Sequence, residues 1–188
     1  MHSINIFQKN WAFTSAENAK PQIKTGSFGP CYVVTFTSQK FAAMAHIDDM
    51  TQVDSIEIIF NKFSENSIEL KDVKVIILGG WKAHPESFKW GNKIVEKIKT
   101  AGFKNISDKN MFSKKCLTLL QQMQDISGPE LPTYFHFGAL VDATNGKTFL
   151  LKEPDGDLDN EQTRQMEEFV NKYGYTMNEE LPISQITS

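Results

Sequence analysis

CYVVTFTSQKFAAMAHI, residues 31–47, is the stretch on which the fold turns. CYVVTFT is rich in β-branched and aromatic residues, and FAAMAHI is dominated by apolar ones. Only the polar break Ser38-Gln39-Lys40 lies between them, so the pattern predicts a β-hairpin. With the loop centred between Ser38 and Gln39, Phe36 faces Phe41 and Cys31 faces His46. Directly opposed residues share one side of a sheet, with Cβ atoms roughly 4.5–5.5 Å apart. A three-residue loop would shift the pairing by one and put the two on different faces or on a diagonal.

Working outward, residues 14–30 (TSAENAKPQIKTGSFGP) are polar and rich in small residues, which predicts a loop. Thr51 can cap a helix carrying Val53, Ile56, Ile59, Phe60 and Phe63 at helical spacing. VKVIIL (73–78) predicts a buried strand stopped by Gly79-Gly80. A helix over 86–101 follows, with Phe88, Ile94, Val95 and Ile98 on one side and Gly102 at its end. Residues 103–127 fit helix or strand equally. TYFHFGALVDATNGKTFLLKE (133–153) predicts a second hairpin, with Asn145-Gly146 as a type I′ turn. A last amphipathic helix is expected over about 160–173, ending at Gly174. Strands and helices mix without βαβ alternation. The expectation is one α+β domain spanning 1–188, with a mixed, largely antiparallel, sandwich-like sheet core and flanking helices. Residues 1–22 are expected as a peripheral leader and 176–188 as a peripheral tail.

The 188 residues carry a net charge of −3 and are 40% hydrophobic, a globular composition without the basic footprint of a nucleic-acid partner. No apolar run approaches the length that spans a bilayer, and MHSINIFQKNWAF lacks the features of a signal peptide. Cys31 and Cys116, in different neighbourhoods, do not make a disulfide framework. A reducing, cytoplasmic setting is expected, with signal-independent export left open. DGDLDNEQ (155–162) resembles a calcium loop but has Asn160 where glycine is needed and Met166 where glutamate is needed. An acidic loop before the last helix explains it better. No CxxC, HExxH or phosphate-cradling loop is present, so no metal and no cofactor are expected.

The thiol and the imidazole carry the chemistry. A thiolate is the reactive form of cysteine, and a neighbouring histidine can take its proton and return one to a leaving amine. The glycines before Cys31 permit close backbone approach to a substrate, and the Cys31 N–H can serve an oxyanion, whereas Pro30 has no N–H. The plain alternative is that both residues are core packing. Cys116, after Lys114-Lys115, reads as the buried side of an amphipathic element. His136, sharing a face with Tyr134 and Gly138, is structural or lines substrate. His84, before Pro85, reads as a turn residue or a substrate contact, and His2 as part of a disordered end. Trp81, directly after Gly79-Gly80, packs in the core or walls a cleft.

Thr25-Gly26-Ser27-Phe28-Gly29-Pro30-Cys31, followed by Ala45-His46, resembles the CheD chemoreceptor glutamine deamidases. There a Thr-x-Gly-x-Gly-Ser-Cys stretch leads into a strand and the histidine lies on the next. The later LGGW (78–81) and the helix with Gly91-Asn92 are also similar. AAMAHID (42–48), VIILGGW (75–81) and FGALVDATNGKTFLLKEPDGD (137–157) are similar instead to the eukaryotic protein N-terminal asparagine amidohydrolase, of the same cysteine-hydrolase group. Together the similarities span about residues 23–160. Two positions depart from the pattern: Pro30 stands at the family serine and Ser27 at a family glycine.

The resemblance implies hydrolysis of an Asn or Gln carboxamide on a protein or peptide. Cys31 is the nucleophile, His46 the base and acid, and Thr25 the residue that orients the imidazole. Ser27, Gly29, Trp81 and His136 are the expected substrate-binding residues. The second half favours an N-terminal asparagine and the Thr…Cys spacing an internal glutamine. Two other readings stay open: a silent relative that binds a partner protein, and another Cys–His acyl transfer such as a peptidase or transglutaminase.

Overall fold

The computed structural model describes residues 2–26, 31–48, 50–80, 85–111, 135–154, 160–161, 164 and 180–182. For 135–137, 152–154 and 180–182 it describes the backbone alone.

The expected hairpin forms from β4 (Tyr32–Ser38) and β5 (Phe41–Ile47), but with another register. Ser38 pairs with Phe41 and Val33 with His46, so the loop is the two residues Gln39-Lys40. Gln39 adopts φ 50°, the left-handed conformation that a two-residue hairpin turn demands, although it is not glycine. The slip from the expected pairing is two residues, an even number. Every side chain therefore keeps its face. Cys31 and His46 stay on the same side of the sheet, diagonal rather than opposed.

Around this hairpin a five-stranded sheet runs β2-β5-β4-β6-β7, with β2 (Trp11–Ser15), β6 (Lys74–Gly79) and β7 (Asn105–Met111). All seven β4 residues are buried, as a strand covered on both faces must be. β6 and β7 pair in parallel because α2 (Pro85–Thr100) carries the chain back across the sheet between them. A second five-stranded sheet runs β1-β3-β8-β9-β10, from β1 (Ser3–Ile6), β3 (Gln22–Thr25), β8 (Phe135–Asp142), β9 (Lys147–Pro154) and β10 (Glu180–Pro182). Both sheets are mixed and largely antiparallel, and the class is α+β, as expected.

Two cores hold the layers together. Ile6, Ile23, Ala139, Val141 and Leu150 of one sheet pack against Val33, Ala42, Met44, Ile76 and Leu78 of the other. On the far side of the β4 sheet, α1 (Glu57–Glu65) and α2 cover Phe36, Val34, Val75 and Ile77. Phe36 sits among the rings of Phe60, Phe63 and Phe103, with centroids 6.1, 6.3 and 5.6 Å away.

Several elements differ from expectation. The N-terminal stretch expected to be peripheral is built in: β1 and β2 join different sheets, and Ile6 enters the core between them. The expected loop 14–30 contains β3, whose half-polar QIKT alternates Ile23 and Thr25 inward. Thr51 does not cap α1. Its hydroxyl donates to Asp48 Oδ1 at 2.7 Å, and a 3₁₀ turn at Val53–Ile56 precedes the helix. In the second hairpin Asp142 pairs with Lys147, so the loop is the four residues Ala143–Gly146 rather than a bare Asn-Gly turn. Within the expected tail, Glu180–Pro182 pairs with β9. Most of the expected last helix lies outside the described residues.

On α2, Phe88 is exposed, and Ser87, Gly91, Ile94 and Ile98 form the buried face. The fully buried Tyr32 explains this. Its hydroxyl donates to the Ser87 carbonyl at 2.5 Å, and its ring occupies the space where a Cβ on Gly91 or Gly80 would sit. Gly91→Ala is therefore expected to destabilise the fold by about 1–3 kcal/mol, read as a lower urea midpoint. An unchanged midpoint would mean that Tyr32 has room to move.

Candidate active site

β3 ends at Thr25, flanked in register by Ile6 of β1 and Ala139 of β8, and its side chain points into the space between the sheets. His46, near the end of β5, faces it from the other sheet. Thr25 Oγ1 and His46 Nδ1 lie 2.8 Å apart, both residues about 2% exposed. The Thr25 hydroxyl also donates to the Ile6 carbonyl at 3.0 Å. With its one proton spent there, the oxygen accepts from Nδ1–H. The network thereby assigns the tautomer: Nδ1 protonated, Nε2 bare. Nε2 is buried and has no hydrogen-bond partner among the described residues.

Cys31 stands one residue before β4 on the same face as His46, 8% exposed and a thiol rather than a disulfide. On that diagonal, residues are roughly 7–8 Å apart, within reach of a long or aromatic side chain. The Cys31 carbonyl accepts from Gly80 N at 3.0 Å, which ties the Gly79-Gly80 turn to Cys31. Both glycines have positive φ, 89° and 81°, which bends the chain directly beside Cys31.

Burial dominates the electrostatics of His46. Desolvation lowers its pKa to about 4, and the charge of nearby Asp48 opposes this without winning. The imidazole is thus neutral near pH 7, the form a general base needs. Linkage makes the shift a stability statement. Between pH 6.5 and 4 the unfolded chain holds a proton on His46 that the folded chain lacks, so stability falls as pH falls through that window. The whole shift corresponds to about 3 kcal/mol. His46→Asn is expected to be less acid-sensitive than the parent when urea midpoints at pH 7 and 4.5 are compared. Identical acid sensitivity would show that the folded imidazole is not held neutral.

Two contributors escaped the sequence reading. Gln8, in the β1–β2 turn, donates from Nε2 to Cys31 Sγ at 3.7 Å. The same turn is tied to His46 itself: Lys9 N donates to its carbonyl at 2.9 Å, and its own N–H donates to the Asn10 carbonyl at 3.0 Å. The alternation of Ile4 with Ile6 and of Trp11 with Phe13, across the polar QKN, is the signal that pointed there. Asn110 is the second. The pairings His46–Val33, Val33–Leu78 and Leu78–Asn110 set it in one cross-strand row with His46, 1% exposed and with Nδ2 unpartnered among the described residues.

Ser27, Gly29, Pro30, Trp81, His84 and Cys116 lie outside the described residues. His136 is on β8, paired with Glu153, but its side chain also lies outside them. Among the described residues no three His, Cys, Asp or Glu side chains group to hold a metal ion, and no helix is long and apolar enough to cross a membrane. No known family model matches the chain, and no curated protein does either.

Proposed function

We propose that the chain is a cysteine-dependent amidohydrolase of the CheD-like and N-terminal-asparagine-amidohydrolase-like group. It deamidates Asn or Gln carboxamides on a protein or peptide, with N-terminal Asn favoured. One observation carries the reading. The Thr25–His46 hydrogen bond leaves a buried, bare Nε2 on the sheet face that also bears Cys31.

The reaction follows from that arrangement. His46 Nε2 takes the thiol proton, and the sulfur pair forms a bond to the carboxamide carbon while the carbonyl π pair moves to oxygen. As the oxyanion collapses, the C–N bond breaks and the imidazolium returns its proton to departing ammonia. Water, losing a proton to Nε2, attacks the thioester and releases the acid and the thiol. Thr25 holds Nδ1–H throughout, so the base always presents Nε2. In the resting chain no hydrogen bond links Nε2 to the thiol, and rotation of the Cys31 side chain as substrate binds closes the pair. Such bonds commonly tighten only in the complex. A working thiolate needs a reducing environment, which fits the cytoplasm.

The reading is tested by mass spectrometry of peptides bearing N-terminal Asn, N-terminal Gln or internal Gln. The expected product is an intact peptide about one mass unit heavier, with ammonia released. Chain cleavage or crosslinking would replace the reading with a peptidase or transglutaminase. No turnover together with an inert Cys31 would favour a protein-binding relative, the reading that Pro30 and Ser27 support.

A further inference from the structure

Gln8 is an exposed residue with an unusual contact: its carboxamide nitrogen points at the sulfur of a buried cysteine, 3.7 Å away. Its position is fixed rather than incidental. Lys9 takes φ 64° and closes a tight turn in which Asn10 N donates to the Phe7 carbonyl at 3.0 Å. Phe7 N donates to Asn10 Oδ1 at 3.3 Å, and the two backbone hydrogen bonds between Lys9, Asn10 and His46 fasten the turn to β5. The strand that presents the base thus also carries the loop that presents Gln8.

A tetrahedral intermediate formed on a thiolate needs N–H donors around its oxyanion. The residue immediately before the nucleophile, Pro30, has none to give. The oxyanion lies roughly 2.7 Å from the sulfur, and effective donors lie about 2.7–3.1 Å from the oxyanion. A donor standing 3.7 Å from Sγ falls within that arc.

We infer that Gln8 is a catalytic residue of this site: its Nε2 leaves the resting sulfur and donates to the oxyanion that forms when Cys31 attacks a carbonyl. The inference rests on the amidohydrolase reading and adds to it a donor from the β1–β2 turn. No proton is transferred to or from Gln8. The sulfur pair makes the S–C bond, the carbonyl π pair goes to oxygen, and the Gln8 N–H stabilises the charge until it collapses and the leaving group departs with the C–X pair.

Two probes that both react at Cys31 separate this role from any other. p-Nitrophenyl acetate acylates the thiol through an oxyanion and releases p-nitrophenolate, whereas iodoacetamide alkylates it by direct displacement with no oxyanion. Peptide mapping assigns both products to Cys31 rather than Cys116. Gln8→Ala and the similarly sized, uncharged Gln8→Met, which has no donor, are expected to slow acylation about 30- to 300-fold. Alkylation is expected to change less than about threefold, with the far-ultraviolet circular dichroism retained. Equal loss with both probes would make Gln8 a residue that tunes the thiol, and no loss with either would make it a surface residue; each outcome overturns the inference and leaves the amidohydrolase reading intact. A wild-type Cys31 that reacts with neither probe would overturn both.

Discussion

Cys31→Ala is expected to bring carboxamide hydrolysis down to the uncatalysed background, a loss of about 10⁴-fold or more in kcat. The size follows from the role. A primary amide is a poor electrophile with a poor leaving group, and the covalent route divides one difficult step into two easier ones. Without the sulfur no thioester forms. Cys31→Ser separates chemistry from packing, because it keeps the volume of a residue that sits in the inter-sheet core beside Val33 and Leu78. Serine is expected to fail nearly as completely as alanine, since a neutral imidazole with a pKa of about 4 is too weak a base to ionise a hydroxyl usefully. Ammonia release followed at saturating peptide gives the readout. Turnover within tenfold of the parent in Cys31→Ala would remove the nucleophile from the account.

The second large effect belongs to the base. His46→Phe preserves the buried ring and is expected to slow turnover by about 10³-fold, with little change in KM, because the proton transfers are lost while substrate contacts remain. Thr25→Val tests how the base is oriented. Valine is isosteric but neither donates to Ile6 nor accepts from Nδ1–H, so the imidazole loses the contact that fixes its tautomer. The expected loss is about 10- to 100-fold in kcat, and Thr25→Ser, which restores the hydroxyl, is expected to recover most of it. If Thr25→Val and Thr25→Ser behave alike, the hydroxyl is only filling space.

The parts of this molecule that could be read from sequence are those whose burial is extreme. β4 shows as a β-branched and aromatic run and β6 as a nearly unbroken apolar one because both faces are covered, and α2 shows through its amphipathic period and terminal glycine. β3 did not show, since QIKT buries only alternate positions and pairs with residues far away in the chain. The hairpin register was missed by two because Gln39-Lys40 lacks the usual turn residues, so nothing in the sequence marked Gln39 for the left-handed conformation. The even slip is why the Cys31–His46 face survived that error. Thr25 was reached through a family resemblance, not through spacing, since no local rule brings the end of β3 to β5 of the other sheet. Gln8 was hidden for a related reason. A short polar turn gives no sign of where it docks, and the contact exists only because β1 and β2 enter different sheets.

In the proposed mechanism His46 makes Cys31 a nucleophile, and the pH dependence of Cys31 alkylation tests this without any knowledge of the substrate. With iodoacetamide the wild type is expected to show a plateau between about pH 5 and 7, where neutral His46 takes the thiol proton as the sulfur attacks, with the rate falling as His46 protonates near pH 4 and rising as the thiol itself ionises at higher pH. His46→Phe is expected to lack that plateau, to be at least about tenfold slower at pH 5.5 and to gain rate steadily up to the ordinary thiol pKa near 8.5. Superimposable profiles for the two proteins, both rising towards that ordinary ionisation, would contradict the account.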